Sequence, residues 1–153
     1  MGVTSTDVGA GNAPLYTCDE VGGDGGRLLT GTCHNPQGAP YLVDVAPRGC
    51  TPSRDATGLC LPHDCGPEHC AHEPSATLQV DDAGCPRCRN YENSDLNDAF
   101  LCIASLGTLG CGFEQPLEAM KQALDENPHN VGFERDDALL AVMFLTDEDD
   151  CSV

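Results

Sequence analysis

The apolar residues are spread unevenly along the chain, and the longest unbroken run lies near its end. Residues 138–145 (Ala-Leu-Leu-Ala-Val-Met-Phe-Leu) contain no polar side chain. An eight-residue run without alternation is typical of a strand buried on both faces, as in a parallel sheet covered by helices. The pattern therefore predicts a buried final strand, and ligands of such sheets bind beyond the carboxyl ends of the strands.

Two amphipathic helices are predicted before that strand. The first is capped by Asn93 or Ser94 and runs to Leu106, because apolar residues recur there at helical spacing. These residues are Leu96, Phe100, Ile103 and Leu106. The second helix follows residues 110–112, with Pro116 tolerated only in its first turn. Its predicted apolar face consists of Phe113, Leu117, Met120 and Leu124.

The first half of the chain predicts two strands and a long insert. Residues 1–8 alternate weakly, and residues 40–46 place Tyr41, Val43 and Val45 on one face of a second strand. Residues 47–90 are rich in cysteine and poor in apolar side chains, so this insert needs cross-links. The order of elements predicts a three-layer α/β domain over residues 1–153, with the insert within it.

Charge narrows the choice of partners. The formal net charge is −18, and Lys121 is the one lysine. Such a surface repels phosphate backbones, so nucleic acid is excluded as a partner. No apolar run approaches the roughly 18 residues that a membrane span needs.

Eleven cysteines point to an oxidising compartment, since disulfides do not persist in reducing ones. Residues 1–6 lack the basic start and apolar stretch of a signal peptide. The odd count leaves one thiol without a partner in the chain. Cys111 and Cys151 are expected close together at the top of the predicted sheet, as a disulfide or as a reactive thiol. The disulfide candidates are Cys85, Cys88, Cys102, Cys111 and Cys151.

Zinc is the alternative for part of the insert. Cys85 and Cys88 have the tight spacing of zinc ligands, and Cys65 with Cys70 could complete a loose four-thiolate site. Three interleaved histidines are further candidate ligands, and a mixture of disulfides and zinc is a third alternative. The histidines are His63, His69 and His72.

The apolar run is followed at once by a cluster of carboxylates. Asp147 is a candidate ligand of a hard divalent cation, with Thr146, Glu148 and Asp149 in support. A solvated acidic tail is the alternative. A second alternative is a phosphoryl-transfer enzyme with Asp147 as nucleophile and Asp149 as acid/base beside Mg²⁺. That chemistry needs further cationic groups, which residues after the cluster do not supply.

Three blocks of the chain resemble von Willebrand factor type A domains. The blocks are Met1-Gly-Val-Thr-Ser-Thr-Asp-Val-Gly, Phe100-Leu-Cys-Ile-Ala-Ser-Leu-Gly-Thr-Leu-Gly-Cys-Gly-Phe-Glu-Gln-Pro-Leu-Glu-Ala119, and the stretch 133–152 that contains the apolar run and the acids. They look most like the cysteine-rich exported or lipoprotein members found in myxobacteria and their relatives. The match covers about the first ten residues and residues 94–152.

This resemblance implies a Rossmann-like, doubly wound sheet whose upper edge holds Mg²⁺ or Ca²⁺. Asp147 matches the aspartate after the family's fourth strand, with Glu148 in place of the usual glycine. Thr108 is the candidate for the family's threonine ligand, although alignment on Leu117 places Cys111 at that position. The first-strand Asp-x-Ser-x-Ser segment, which supplies three ligands, is absent from these residues. The sheet and its metal site are therefore expected to be incomplete, and the chain to be an interior fragment of a longer protein.

The function implied is a non-enzymatic binding or adhesion module. Its partner would be a protein or a cell-surface ligand, and its location extracellular, periplasmic or on the outer cell surface. The metal would bind weakly or not at all to this chain. The alternatives are the phosphoryl-transfer enzyme and a structural module stapled by disulfides or zinc.

Overall fold

A computed structural model describes residues 1–11, 15–18 and 20–152 of the chain. The elements are β1 (Asp44–Val45), a 3-10 helix (Pro67–Cys70), β2 (Thr77–Val80), β3 (Pro86–Arg89), α1 (Leu96–Ala104) and α2 (Pro116–Leu124). The chain divides into two compact units. The first unit contains Met1 and residues 32–103, which include the predicted insert 47–90, and the second contains residues 2–31 and 104–153.

The predicted three-layer, Rossmann-like sheet is wrong. The described residues form one antiparallel sheet in the order β1-β3-β2, in which the longest strands have four residues. Residues 1–8 and 138–145 form no strand, and the strand predicted at 40–46 shortens to β1. Two of the three strands come from the cysteine-rich stretch, where cross-links replace the apolar core that the prediction required.

Both predicted helices are confirmed, with shorter bounds and different details. The carboxylate of Asp95 accepts the backbone N–H of Asp98 at 2.8 Å, so Asp95 caps α1 in place of Asn93 or Ser94. In α2 the predicted apolar face is not the buried one, since Leu117 is half exposed. The buried residues of α2 are Pro116, Ala119 and Ala123.

In the first unit, a tight hairpin joins β2 to β3. Val80 pairs with Pro86 in the antiparallel register. One oxygen of Asp81 accepts the backbone N–H groups of Ala83 and Cys85 at 3.0 and 2.8 Å, and this closes the turn. Pro86 occupies the first position of β3, where the missing N–H of proline is tolerated.

The Asn90 side chain takes the place of a longer strand beside β1. Its oxygen accepts the N–H of Val43 at 2.8 Å, and its amide nitrogen donates to the carbonyl of Tyr41 at 2.9 Å. Asn90 is itself buried, so both bonds are shielded from water. A single amide side chain thereby satisfies the backbone of a segment whose apolar side chains face the core.

The carboxylate of Asp44 in β1 and the three side chains that contact it, here called the Asp44 cluster, link β1 to β3. The Nε atoms of Arg87 and Arg89 lie 2.6 and 3.1 Å from its two oxygens, and the hydroxyl of Tyr91 donates to it. The guanidinium of Arg89 also lies 5.5 Å from the centre of the Tyr91 ring, within range of a cation–π interaction. Burial raises the pKa of Tyr91, and the hydrogen bond to Asp44 raises that pKa further.

Replacement of Asp44 tests how much this cluster contributes. The Asp44→Ala variant should lower the opening free energy of β3 by about 3 kcal/mol, because two guanidinium groups and a buried hydroxyl lose their acceptor. Hydrogen exchange at the amides of β3 measures that free energy. The matched control is Asp82→Ala, which removes the same charge from an exposed position in the same unit. Equal exchange rates in the two variants would contradict the assigned role.

The second unit has a small apolar interior. Its buried apolar side chains are Val8, Leu28, Cys111, Ala119 and Ala123. Two of these are alanines, so burial of apolar area contributes less here than in an ordinary domain. Buried polar side chains and a disulfide therefore carry more of the stability.

Asn130 is the main polar hub of the second unit. Its oxygen accepts the N–H of Leu28 at 2.8 Å, and its nitrogen donates to the carbonyls of Gly26 and Ala123 at 2.9 and 3.0 Å. Gly26 has a φ of +67°, and a Cβ there would lie 2.5 Å from the backbone nitrogen of Ala123. Only glycine permits this approach to the last turn of α2.

Asp7 and Gln115 form a second polar hub. The two carboxylate oxygens of Asp7 accept the N–H groups of Gly9 and Cys111 at 2.9 and 3.0 Å. The side-chain amide of Gln115 donates to the carbonyl of Gly9 at 2.7 Å. These bonds fix the chain just before α2, and so they set where that helix begins.

Candidate functional site

The apolar run 138–145, here called the apolar segment, lies on the surface of the second unit. Every residue in it is exposed. Its six large side chains are between 44% and 102% exposed; they are Leu139, Leu140, Val142, Met143, Phe144 and Leu145. No hydrogen bond joins residues 139–145 to another described residue. The predicted buried strand is therefore wrong, because no described strand lies alongside to pair with it.

Just after its last apolar residue, the segment is anchored to Glu114, two residues before α2. The Thr146 hydroxyl donates to the carboxylate of Glu114 at 2.8 Å, and the N–H of Cys151 donates to the Glu114 carbonyl at 2.9 Å. Glu114 thus receives one bond from each end of the acidic stretch 146–151.

Asp150 of the acidic stretch and the next serine, Ser152, cap α2. The N-cap residue Gln115 makes no side-chain cap, so the first N–H groups of the helix need other acceptors. The carboxylate of Asp150 accepts the N–H of Leu117 at 3.2 Å, and the Ser152 hydroxyl accepts that of Glu118 at 2.9 Å. A carboxylate at this position also interacts favourably with the positive end of the helix dipole.

The other end of the segment is fixed by the Asn130 hub. The N–H of Phe133 donates to the backbone carbonyl of Asn130 at 3.0 Å, and the N–H of Ala138 donates to that of Arg135 at 3.2 Å. The apolar segment is therefore held between two anchored points, and it is presented as a loop whose side chains face solvent.

The predicted metal ligands are not gathered into one group among the described residues. Asp147, Glu148, Asp149 and Thr108 are all exposed. The Thr146 hydroxyl is already bonded to Glu114. Over the described ranges, no group of three or more His, Cys, Asp or Glu side chains is placed to hold a metal ion. The divalent-ion site that the von Willebrand resemblance implied therefore stays a prediction.

Ten of the eleven cysteines form disulfides, as the composition predicted. The pairs are Cys18–Cys111, Cys33–Cys102, Cys50–Cys65, Cys60–Cys85 and Cys70–Cys88. Cys151 is the free thiol among the described residues. Cys111 does not form the disulfide with Cys151 that the sequence suggested, because it is paired with Cys18 instead.

The disulfides also occupy the four cysteines that were candidate zinc ligands. Cys65, Cys70, Cys85 and Cys88 all lie in disulfides, and zinc requires thiolates. The Nδ1 atom of His69 lies 2.8 Å from the backbone carbonyl of Arg48, and so it is already in a hydrogen bond. Zinc binding by the insert stays a prediction for the reduced chain.

Lys121, the one lysine of the chain, forms an ion pair within α2. Its Nζ lies 3.4 Å from the carboxylate of Glu118. A hydrogen bond from the amide of Gln122 lowers the pKa of Glu118, and Lys121 lowers it further. The phosphoryl-transfer alternative stays a prediction, and no described contact favours it.

Sequence reasoning missed Asp150 and Ser152 as structural residues. The sequence did indicate that α2 lacks a local cap, because glutamine is a poor N-cap and Pro116 donates no N–H at the start of the helix. Such a helix needs acceptors from elsewhere in the chain. Which distant residues supply them depends on tertiary structure.

The chain was compared with families and structures already known. Neither a family model, nor a curated protein, nor a solved structure matches it. The resemblance to von Willebrand A domains therefore stays a prediction from the three sequence blocks. Within the part of the chain that the structure describes, no helix is long and apolar enough to cross a bilayer.

The disulfide pattern predicts the number of reactive thiols. Alkylation of the denatured, unreduced chain should label one cysteine, Cys151, whereas labelling after reduction should reach all eleven. Peptide mass spectrometry of the labelled chain counts and locates the thiols. Labelling of Cys85 and Cys88 before reduction would contradict the pairing and revive the zinc alternative.

The capping bonds predict how the acidic stretch behaves. Asp150→Ala should destabilise the start of α2 by about 1 kcal/mol, because the N–H of Leu117 loses its acceptor. Faster hydrogen exchange at the amides of Leu117 and Glu118 is the expected result. The control is Asp149→Ala, which removes a carboxylate that does not cap the helix. Equal effects of the two substitutions would show that only the overall charge matters.

Proposed function

We propose that this chain is a non-enzymatic, protein-binding module of the extracellular or periplasmic space, and that the apolar segment 138–145 is its contact element. The proposal keeps the binding role expected from the sequence and does not depend on the predicted metal site. The observation that carries it is the exposure of six large apolar side chains within seven residues, 139–145, on an otherwise strongly acidic chain.

The energetic support comes from apolar area. Full burial of one Leu, Val, Met or Phe side chain contributes about 1.5–3 kcal/mol. Large exposed apolar surfaces are rare on monomeric proteins and mark interaction sites when they occur. Six such side chains provide enough gross energy to offset an association cost of several kcal/mol. The segment is therefore the part of the second unit with the most to gain from a partner.

Anchoring at both ends supports the same proposal. The Asn130 hub fixes the chain before the segment, and Glu114 fixes it after Leu145. A loop held at both ends loses less conformational entropy on binding than a free tail. Presentation of apolar side chains by a rigid scaffold is the usual arrangement of binding loops.

The location is part of the proposal. Five disulfides persist only where the surroundings are oxidising, as outside the cell or in the periplasm. Partners in those spaces are other exported proteins or cell-surface proteins. The formal charge of −18 disfavours nucleic acids and anionic lipid surfaces as partners.

Site-specific photocrosslinking tests the proposal. A photoreactive phenylalanine analogue at position 144, in the chain exported by its own cells, should give a discrete protein adduct. The same analogue at position 109 is the control, because Leu109 is 99% exposed but lies outside the segment. The paired Leu139→Asp substitution should reduce the yield at position 144 by about tenfold or more, as expected when one large apolar contact is lost.

Two results would overturn the proposed function. One is the absence of any adduct at position 144 while the protein is correctly disulfide-bonded. The other is equal adducts at positions 144 and 109, which would mean that crosslinking reports only exposure. The disulfide pattern of each variant checks that the substitution leaves the fold intact.

A further inference from the structure

The chemistry of the partner can be inferred from the backbone and from the charges that flank the apolar segment. We propose that the partner is a separate protein with an open β-sheet edge that carries basic residues at both ends, and that residues 138–145 add to this edge as a strand. This inference rests on the proposed function, because it assigns the class of partner to the same segment.

The backbone argues for a strand. The N–H and C=O groups of residues 139–145 make no hydrogen bond to another described residue. A partner that buries the side chains also removes water from these groups, so it must supply replacements. An open sheet edge supplies a full row of donors and acceptors.

The length and pattern of the segment favour a strand over a helix. Eight residues suit an ordinary strand, whereas they form only about two turns of helix, which is marginal without a large supporting surface. The segment has no polar face, so both of its strand faces can be covered. A helix of the same residues would also be apolar on every side, and a groove covers only one side.

The charges at the ends specify the partner further. Asp147, Glu148 and Asp149 follow the segment, and all three are exposed. Before it lie Glu134, Asp136 and Asp137 together with Arg135; all four are exposed, and the acids outnumber the arginine by three to one. If residues 138–145 extend as a strand with a rise of about 3.3 Å per residue, the two acidic flanks lie roughly 23 Å or more apart. The complementary edge therefore carries Lys or Arg groups at two places separated by about that distance.

The same charges argue against a second copy of the chain. Antiparallel pairing of two segments would set the acids before one segment beside the acids after the other. Like charges placed opposite each other destabilise a strand pair, and two chains of net charge −18 repel before they meet. A basic partner is attracted both by the flanking acids and by the net negative charge of the chain.

A designed macrocyclic peptide with one open strand edge is a suitable probe. The edge has alternating valine and threonine, with lysines at both ends. One control has glutamates in place of the lysines, and a second keeps the lysines but has N-methylated amides along the open edge. Fluorescence anisotropy gives the Kd of each peptide for the intact, disulfide-bonded chain at low and high salt.

The lysine peptide should bind at least about tenfold more tightly than the glutamate peptide, because several exposed charge pairs each contribute a modest amount. High salt should reduce this difference. N-methylation should weaken binding about tenfold or more, and Met143→Asp should do the same, with Leu109→Asp as the control on the protein. Binding should also slow hydrogen exchange at the amides of residues 139–145.

The outcomes separate this inference from the proposed function. Equal binding of the N-methylated peptide would overturn strand addition, and equal binding of the glutamate peptide would overturn the basic partner. Failure of every peptide to bind would also overturn the inference, while a specific adduct at position 144 would leave the proposed function intact. A concentration-dependent dimer in sedimentation, abolished by Leu139→Asp, would mean that the occupant is a second copy.

Discussion

Covalent cross-linking is the constraint on which the rest of the structure depends. In the chain-entropy description, a disulfide that closes a 15-residue loop, as Cys50–Cys65 does, stabilises the folded state by about 3 kcal/mol, and longer loops gain somewhat more. Each of the five bridges lies within one of the two units. They hold a chain in which the longest strands have four residues and the two helices have nine residues each.

Within that cross-linked chain, polar side chains make the hydrogen bonds to backbone groups that neighbouring strands would make in a larger sheet. Asn90 completes the hydrogen bonds of a short strand, and Asn130 ties an N-terminal loop to the last turn of α2. These amides are buried, so removal of one would leave several backbone groups without partners and would cost more than the bonds themselves. The Asp44 cluster acts in the same way with charged groups.

The acidic stretch after the apolar segment has two separate physical effects. Asp150 and Ser152 cap α2 and so fix the stretch that follows the carboxyl end of the apolar segment. Residues 147–149 remain exposed. Capping holds the apolar segment as an exposed loop with a fixed end, and the exposed carboxylates favour a positively charged partner. An exposed apolar run of eight residues is also a hazard for aggregation, and the flanking acids oppose pairing between copies.

The sequence by itself determined the features that depend on local or compositional physics. Helical spacing located α1 and α2, the proline limited how far into α2 it could lie, and the number of cysteines predicted disulfides. The tertiary structure alone decided which cysteines pair, which face of α2 is buried, and whether residues 138–145 find a neighbouring strand. Pairing of cysteines depends on the distances between residues far apart in the chain. The last turn of α2 is covered near Ala123 because Gly26 can approach it closely. An apolar run specifies that burial is favourable, but a strand also needs a partner for its backbone, and among the described residues this segment has none.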